Sequence, residues 1–118
     1  MQYAVSAYLG YLDDIVKYRE QSLSGMMGRP VSQIILLHAN PINSCCQDRV
    51  IGVLEKQNYH FISLGETLQD SVYRTFCTWT PKEQGHYKQW VQKGMPAPGD
   101  PLPKIDGAVL KLYRLLCN

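Results

Sequence analysis

Hydrophobic residues recur every three to four positions near the start of the chain and again near its end. Over residues 4–20 this spacing lines one side of a helix. The apolar positions of that segment are Val5, Tyr8, Leu9, Leu12, Ile15 and Val16. Residues 105–116 show a similar, weaker pattern. Both segments are predicted to be helices with one apolar face.

Two short, continuous apolar segments interrupt the helical pattern and predict buried β-strands, one over residues 33–38 and one over residues 59–62. Uninterrupted apolar runs are typical of parallel strands covered on both faces. A helix is predicted between them, over residues 46–57, after a loop marked by Pro41 and Asn43. This helix is predicted to end at Asn58, because asparagine tolerates the left-handed conformation in which many helices end. The resulting alternation of helices and strands predicts an α/β architecture.

A third helix start follows the second predicted strand. Ser63-Leu64-Gly65-Glu66 matches a capping box, in which the Ser63 hydroxyl and the Glu66 carboxylate each accept a hydrogen bond from a backbone N–H group. We therefore expect a helix to begin here and to run through Leu68.

The predicted sheet has too few strands to form by itself. Parallel strands need neighbours at their edges and helices on both faces, and this sequence offers only two convincing strands. Either the other strands belong to a second chain or copy, or the sequence is the C-terminal portion of a longer α/β domain. A Pro- and Gly-rich segment begins at residue 94, so the chain is divided into residues 1–93 and residues 94–118.

Composition and charge argue against several classes of function. The chain has 12 Lys and Arg against 10 Asp and Glu, a net charge of +2, and so lacks the basic surface typical of nucleic-acid or anionic-membrane binding. Its longest apolar run, residues 34–37, is far shorter than the roughly 20 residues that span a bilayer. The first residues also lack the pattern of an export signal.

The four cysteines lack both the CxxC spacing of metal sites and the density of a disulfide scaffold. Free thiols in a reducing compartment are therefore predicted, which favours the cytoplasm. The location stays open, because residues preceding this sequence could carry an export signal. The adjacent pair Cys45–Cys46 has no second pair to complete a metal site, and we interpret it as incidental.

His38 is the strongest candidate for a catalytic residue. It follows the first predicted strand, and α/β folds place their functional groups beyond the carboxyl ends of parallel strands. A histidine at this place either exchanges a proton near neutral pH or caps the strand with a hydrogen bond. Its position alone leaves both alternatives open.

An ordered series of motifs resembles the C-terminal part of the polysaccharide deacetylase family. The helix before His38 carries Tyr11, Tyr18 and Glu20, and the strand ends in the family's Leu-x-His motif. The series continues with matches to the family's later motifs. In order, the matching stretches are Leu36-Leu37-His38-Ala39-Asn40, Asn58-Tyr59-His60-Phe61, Ser63-Leu64-Gly65-Glu66-Thr67-Leu68, Asp70-Ser71-Val72-Tyr73 and Tyr87-Lys88-Gln89-Trp90. The resemblance covers most of the chain.

The resemblance implies a hydrolase with a distorted (β/α) barrel that removes acetyl groups from N-acetylated polysaccharides or oligosaccharides. The family uses a divalent metal, usually zinc, and a general-base Asp. By the same resemblance, Leu36 lines the pocket for the acetyl methyl group. His38 acts as the general acid that protonates the departing sugar amine, a proton transfer that amide cleavage requires.

This sequence departs from the family in its metal and base motifs. It contains neither the Thr-Phe-Asp-Asp-Gly motif nor the His-Ser/Thr-x-x-His pair. Asp13-Asp14 lies mid-helix with no following glycine and is interpreted as a solvated face. His38, His60 and His86 are too far apart for a local zinc motif. We therefore predict no metal site in this chain alone.

Two functions follow as hypotheses. In the first, the chain is the C-terminal portion of a metal-dependent carbohydrate N-deacetylase, bears the general acid His38 and is inactive alone. In the second, it is a non-catalytic module that folds by pairing with a partner chain or with a second copy of itself.

Overall fold

The computed structural model describes residues 2–75, 102–107 and 110–111. Its helices are α1 (Gln2–Met27), α2 (Pro41–Lys56), α3 (Leu64–Thr67) and α4 (Val72–Thr75). The predicted boundary at residues 93 and 94 lies outside the described residues, and so does most of the predicted C-terminal helix. None of the helices in the described ranges has the length and apolar character of a membrane span.

The predicted α/β architecture, and with it part of a (β/α) barrel, is wrong for the described residues, which form helices and no strand. Residues 33–38 and 59–62 both lie in non-helical connections. A strand is defined by hydrogen bonds to a neighbouring strand, and within the described ranges neither segment has such a ladder. Apolar side chains expected in a sheet core are exposed instead: Leu36 to 83% and Phe61 to 58%.

Helix α1 confirms the first predicted helix and extends seven residues beyond its expected end, to Met27. Gly25 lies inside the helix and does not break it. The helix stops at Gly28, whose φ of 68° lies in the left-handed region that glycine adopts without a steric penalty. The Gly28 N–H donates to the Ser24 carbonyl at 2.9 Å, the single bond of a left-handed helix end.

Helix α2 begins at Pro41, five residues earlier than predicted, so the predicted loop at Pro41 and Asn43 is wrong. Asn40 is the N-cap, and its side chain accepts a hydrogen bond from the Asn43 N–H at 2.9 Å. Proline suits the first helical position because the N–H that it lacks would be unpaired there. Asn58, with φ of 63°, confirms the predicted stop. One buried stripe at four-residue spacing comprises Ile42, Cys46, Val50 and Leu54.

The capping box at α3 is confirmed. The Glu66 N–H donates to the Ser63 Oγ at 3.2 Å, and the Ser63 N–H donates to Glu66 Oε2 at 2.8 Å. The hydrogen bonds from Ser63 hold the pKa of the Glu66 carboxyl below its ordinary value. The helix ends at Thr67, with Leu68 as its C-cap.

The chain divides into two compact units. The first comprises the described residues of Met1–Arg19, Ile35–Phe61 and Leu102–Asn118, and the second those of Glu20–Ile34 and Ile62–Pro101. The second unit has its own apolar cluster. Its buried members are Met26, Val31 and Val72, and Leu23, Met27 and Tyr73 pack against them.

Candidate functional site

The first unit contains a cavity of about 240 Å³ at the start of α2. Its wall is mainly apolar, with a few polar side chains from α1, from the segment before α2 and from the first turn of α2. The lining residues are Tyr8, Leu36, Leu37, His38, Asn40, Ile42, Asn43, Ile105 and Leu110. Both residues singled out by the resemblance, Leu36 and His38, therefore line the same cavity.

The Leu-x-His motif lies in a non-helical segment, and the side chains of Leu36 and His38 both border the cavity. Leu36 is 83% exposed, so most of its apolar surface is available to contact a ligand. The His38 side chain is also exposed, which leaves it accessible for proton exchange.

The backbone of His38 is held by the start of α2. The His38 carbonyl accepts hydrogen bonds from Asn43 Nδ2 at 2.7 Å and from the Asn40 N–H at 3.0 Å. Asn43 is itself fixed, because its N–H donates to Asn40 Oδ1 and its Oδ1 accepts from the Tyr8 hydroxyl at 2.7 Å. The helix cap thus positions the backbone that carries the histidine.

Tyr8 links α1 to this network. Burial raises the pKa of the Tyr8 hydroxyl, and the hydrogen bond to Asn43 lowers it by less. The hydroxyl therefore stays protonated at neutral pH and donates to Asn43. A protonated Tyr8 keeps the Asn43 amide oriented so that its nitrogen faces the His38 carbonyl.

Sequence reasoning missed Tyr8 and Asn43 as parts of the site. In the sequence, Tyr8 belongs to the predicted apolar face of the first helix, and Asn43 falls in the predicted loop. The available signal was Asn40-Pro41, an N-cap residue followed by proline, which is typical of a helix start. A helix that starts at Pro41 has Asn43 in its first turn, a few residues after His38.

The other candidate residues lie apart from the cavity. Asp13 accepts hydrogen bonds from Lys17 Nζ at 2.5 Å and from Gln57 Nε2 at 2.7 Å, and these two bonds hold the pKa of its carboxyl below the ordinary value. The prediction that both residues lie on a solvated face is confirmed for Asp14, which is exposed. Asp13 is only partly exposed, and its side chain is hydrogen-bonded. His60 is exposed, whereas His86 lies outside the described residues.

The described residues contain few neighbouring side chains of the types that bind metals. Within residues 2–75 and the short described stretches near the C-terminus, no three His, Cys, Asp or Glu side chains lie together. Cys45 and Cys46 are both free thiols, as predicted, whereas Cys77 and Cys117 lie outside the described residues.

The comparisons with known proteins identify no relative. No family model matches the chain, and neither a curated protein nor a solved structure matches it.

Proposed function

We propose that this chain is the acid-bearing portion of a hydrolase that removes acetyl groups from N-acetylated carbohydrates. The observation that carries the proposal is that Leu36 and His38 line one cavity of about 240 Å³. The motif series around Leu36-Leu37-His38-Ala39-Asn40, which resembles polysaccharide deacetylases, supports the same reaction. The substrate class comes from that resemblance.

Each residue has a distinct role in this proposal. Leu36 provides apolar contact for the methyl group of the acetyl substituent, where its exposed side chain borders the cavity. His38 donates a proton to the sugar nitrogen as the amide C–N bond breaks, because an unprotonated amine anion is a very poor leaving group. Asn43 and Tyr8 act as positioning residues through the His38 carbonyl.

The metal and the general base of the reaction are not assigned to this chain. The sequence lacks the motifs that supply them in the family, and the described residues offer no cluster of ligands. In this proposal both come from residues outside these 118. The chain alone is therefore expected to be inactive.

We expect the purified chain to release no acetate from a chitooligosaccharide above the buffer control. Mixed or co-expressed with the metal- and base-bearing half of a polysaccharide deacetylase domain, it should raise acetate release above that of the half alone. An enzymatic acetate assay measures both results. The reason is that protonation of the leaving amine and activation of water must meet at one amide.

Two results would contradict this proposal. One is acetate release by the chain alone together with stoichiometric zinc binding, which would place the whole site within these 118 residues. The other is a mixture no more active than the metal-bearing half, provided that co-purification shows the two chains bound. A chain mixed with heat-denatured partner serves as the control.

A second candidate function is a non-catalytic module that pairs with another copy of itself. The observation that favours it is the exposure of apolar side chains in the first unit, with Ile35 exposed to 43%, Leu36 to 83% and Phe61 to 58%. Exposed apolar side chains gathered in one part of a chain provide a surface on which two copies can associate.

Self-pairing predicts a melting temperature that rises with protein concentration, because association stabilises only the folded chain. Circular dichroism melts at two concentrations tenfold apart measure it, and sedimentation velocity gives the size of the species. The replacement Leu36→Asp should abolish the dependence on concentration, whereas Leu64→Asp, at an exposed leucine of the second unit, should leave it unchanged. A monomer whose melting temperature is the same at both concentrations would eliminate this candidate.

A further inference from the structure

The first turns of α2 bring two neighbouring cysteines together. In a regular helix successive side chains diverge by about 100°, so adjacent sulfur atoms do not face each other. Cys46 departs from helical geometry, with φ of −133° and ψ of 18°, and α2 is kinked there. The Cys45 and Cys46 Sγ atoms are 2.8 Å apart and share a hydrogen bond. The kink thus brings the thiols of two adjacent residues into contact.

The two thiols differ in their surroundings. Cys45 is exposed, whereas Cys46 is buried, with only 4% of its surface exposed to solvent. The hydrogen bond with Cys45, together with burial, raises the pKa of the Cys46 thiol. Cys46 therefore stays protonated and shielded, while Cys45 is open to reagents in the solvent. This is the arrangement of an attacking thiol with a resolving partner beside it.

We infer that Cys45 and Cys46 form a reversible redox site that closes as a disulfide between adjacent residues when a peroxide oxidises Cys45. The inference rests on α2 alone and is independent of the proposed deacetylase function. The sequence alone favours an incidental pair of cysteines, because it does not reveal the kink at Cys46. The redox site is our proposal in place of that interpretation.

The chemistry balances with hydrogen peroxide as the oxidant. The Cys45 thiol gives up its proton, its sulfur attacks one peroxide oxygen, the O–O bond breaks, and Cys45 becomes a sulfenic acid. The hydroxide that leaves takes up the proton from Cys45 and becomes water. The Cys46 sulfur then attacks Cys45 Sγ, the S–O bond breaks and the S–S bond forms. The proton from the Cys46 thiol leaves with the second hydroxide as water. In total, two thiols and one peroxide give one disulfide and two waters.

The closed form should be readily reduced. Consecutive Cα atoms across a trans peptide are about 3.8 Å apart, which is below the about 4.4–6.8 Å usual for disulfides. Such a bond is strained, and strained disulfides have the more oxidising potentials typical of labile sites. A monothiol or dithiol reductant should therefore restore both thiols.

The test treats the full chain with hydrogen peroxide, blocks the remaining thiols by alkylation and maps the peptides by mass spectrometry. We expect the peptide with Cys45 and Cys46 to lose two hydrogen atoms in mass and to take up no alkylating reagent. Dithiothreitol before alkylation should restore labelling at both positions. In Cys46→Ser, which removes the resolving thiol, Cys45 should instead gain two or three oxygen atoms.

Several results would overturn the inference. One is the over-oxidation of Cys45 in the unchanged chain while Cys46 remains open to alkylation. Another is a disulfide that joins either residue to Cys77, to Cys117 or to a second chain. A third is full labelling of both thiols after excess peroxide. The Cys45→Ser chain is the control, and its Cys46 should resist oxidation because that side chain is buried.

Discussion

Replacing His38 with alanine is expected to lower acetate release by about 100- to 10,000-fold, the range that a positioned general acid contributes. The variant is assayed in complex with the metal- and base-bearing half of a polysaccharide deacetylase domain. The effect should appear mainly in kcat, because proton donation to the departing amine occurs in the transition state rather than on substrate binding. Acetate release from a chitooligosaccharide, followed over a range of substrate concentrations, separates kcat from KM.

The matched control for this prediction is His60→Ala. His60 is an exposed histidine of the same unit that does not line the cavity, so its replacement removes an identical side chain from a different place. Far-UV circular dichroism should show the same helix content in both variants. If the His38 and His60 variants were equally active, His38 would not be the general acid, even with the chains correctly assembled.

A substrate with a better leaving group sharpens the same test. An N-acetyl compound whose amine leaves without protonation, such as an acetanilide with a strongly electron-withdrawing ring substituent, needs the acid less. We expect the His38→Ala defect to be smaller on that substrate than on the sugar. A defect of equal size on both would indicate that His38 acts by positioning the substrate.

Asp70→Asn is expected to destabilise the folded chain by about 1–2 kcal/mol near pH 6. Asp70 accepts two hydrogen bonds from Arg29, from Nη1 at 3.0 Å and from Nη2 at 2.6 Å, in a bidentate pair. It also accepts from the Val72 N–H at 3.0 Å. Hydrogen bonds to charged groups contribute about 1.5–3 kcal/mol, and the partial exposure of this pair reduces that value.

The same substitution should change how stability depends on pH. The Arg29 guanidinium and the Val72 N–H hold the pKa of the Asp70 carboxyl well below its usual range. The unfolded state therefore binds the proton first as the pH falls, and the stabilisation by Asp70 is present above an unfolded pKa of about 3.9 and declines below it. Because asparagine does not titrate, the difference in stability between the two chains should narrow between pH 6 and pH 3.

Urea denaturation at both pH values, followed by circular dichroism, measures this difference. Glu55→Gln is the control, since Glu55 is an exposed carboxylate on α2 and its neutralisation should leave the free energy of unfolding nearly unchanged at both pH values. If the unchanged chain and the Asp70→Asn variant differed by the same free energy at pH 6 and at pH 3, the carboxylate would not stabilise the fold through its charge.

Features with a local physical cause could be predicted from the sequence. The Ser63 and Glu66 capping box forms as expected, because both of its hydrogen bonds join groups three residues apart. Asn58 ends α2 in a left-handed conformation, which asparagine tolerates better than most residues. The first helix was also predicted correctly from its apolar spacing, although its end at Gly28 lay further along than expected.

The two predicted strands depend on a partner strand that the sequence does not reveal. An apolar run such as residues 34–37 has the composition of a strand, but a strand also needs a hydrogen-bonded neighbour. Composition carries no information about whether that neighbour is present. In the described ranges neither predicted strand has one, and both segments are non-helical connections with exposed apolar side chains.

The sequence by itself determined the end of α2 at Asn58 and the start of α3 at Ser63. Each depends on residues within about four positions of one another. Only the tertiary structure decided that Tyr8 and Asn43, 35 residues apart, hold the histidine backbone, and that a kink brings two thiols into contact. The first contact joins two helices that are far apart along the chain, and the second depends on a departure from helical backbone at Cys46 that the residue pattern of α2 does not reveal.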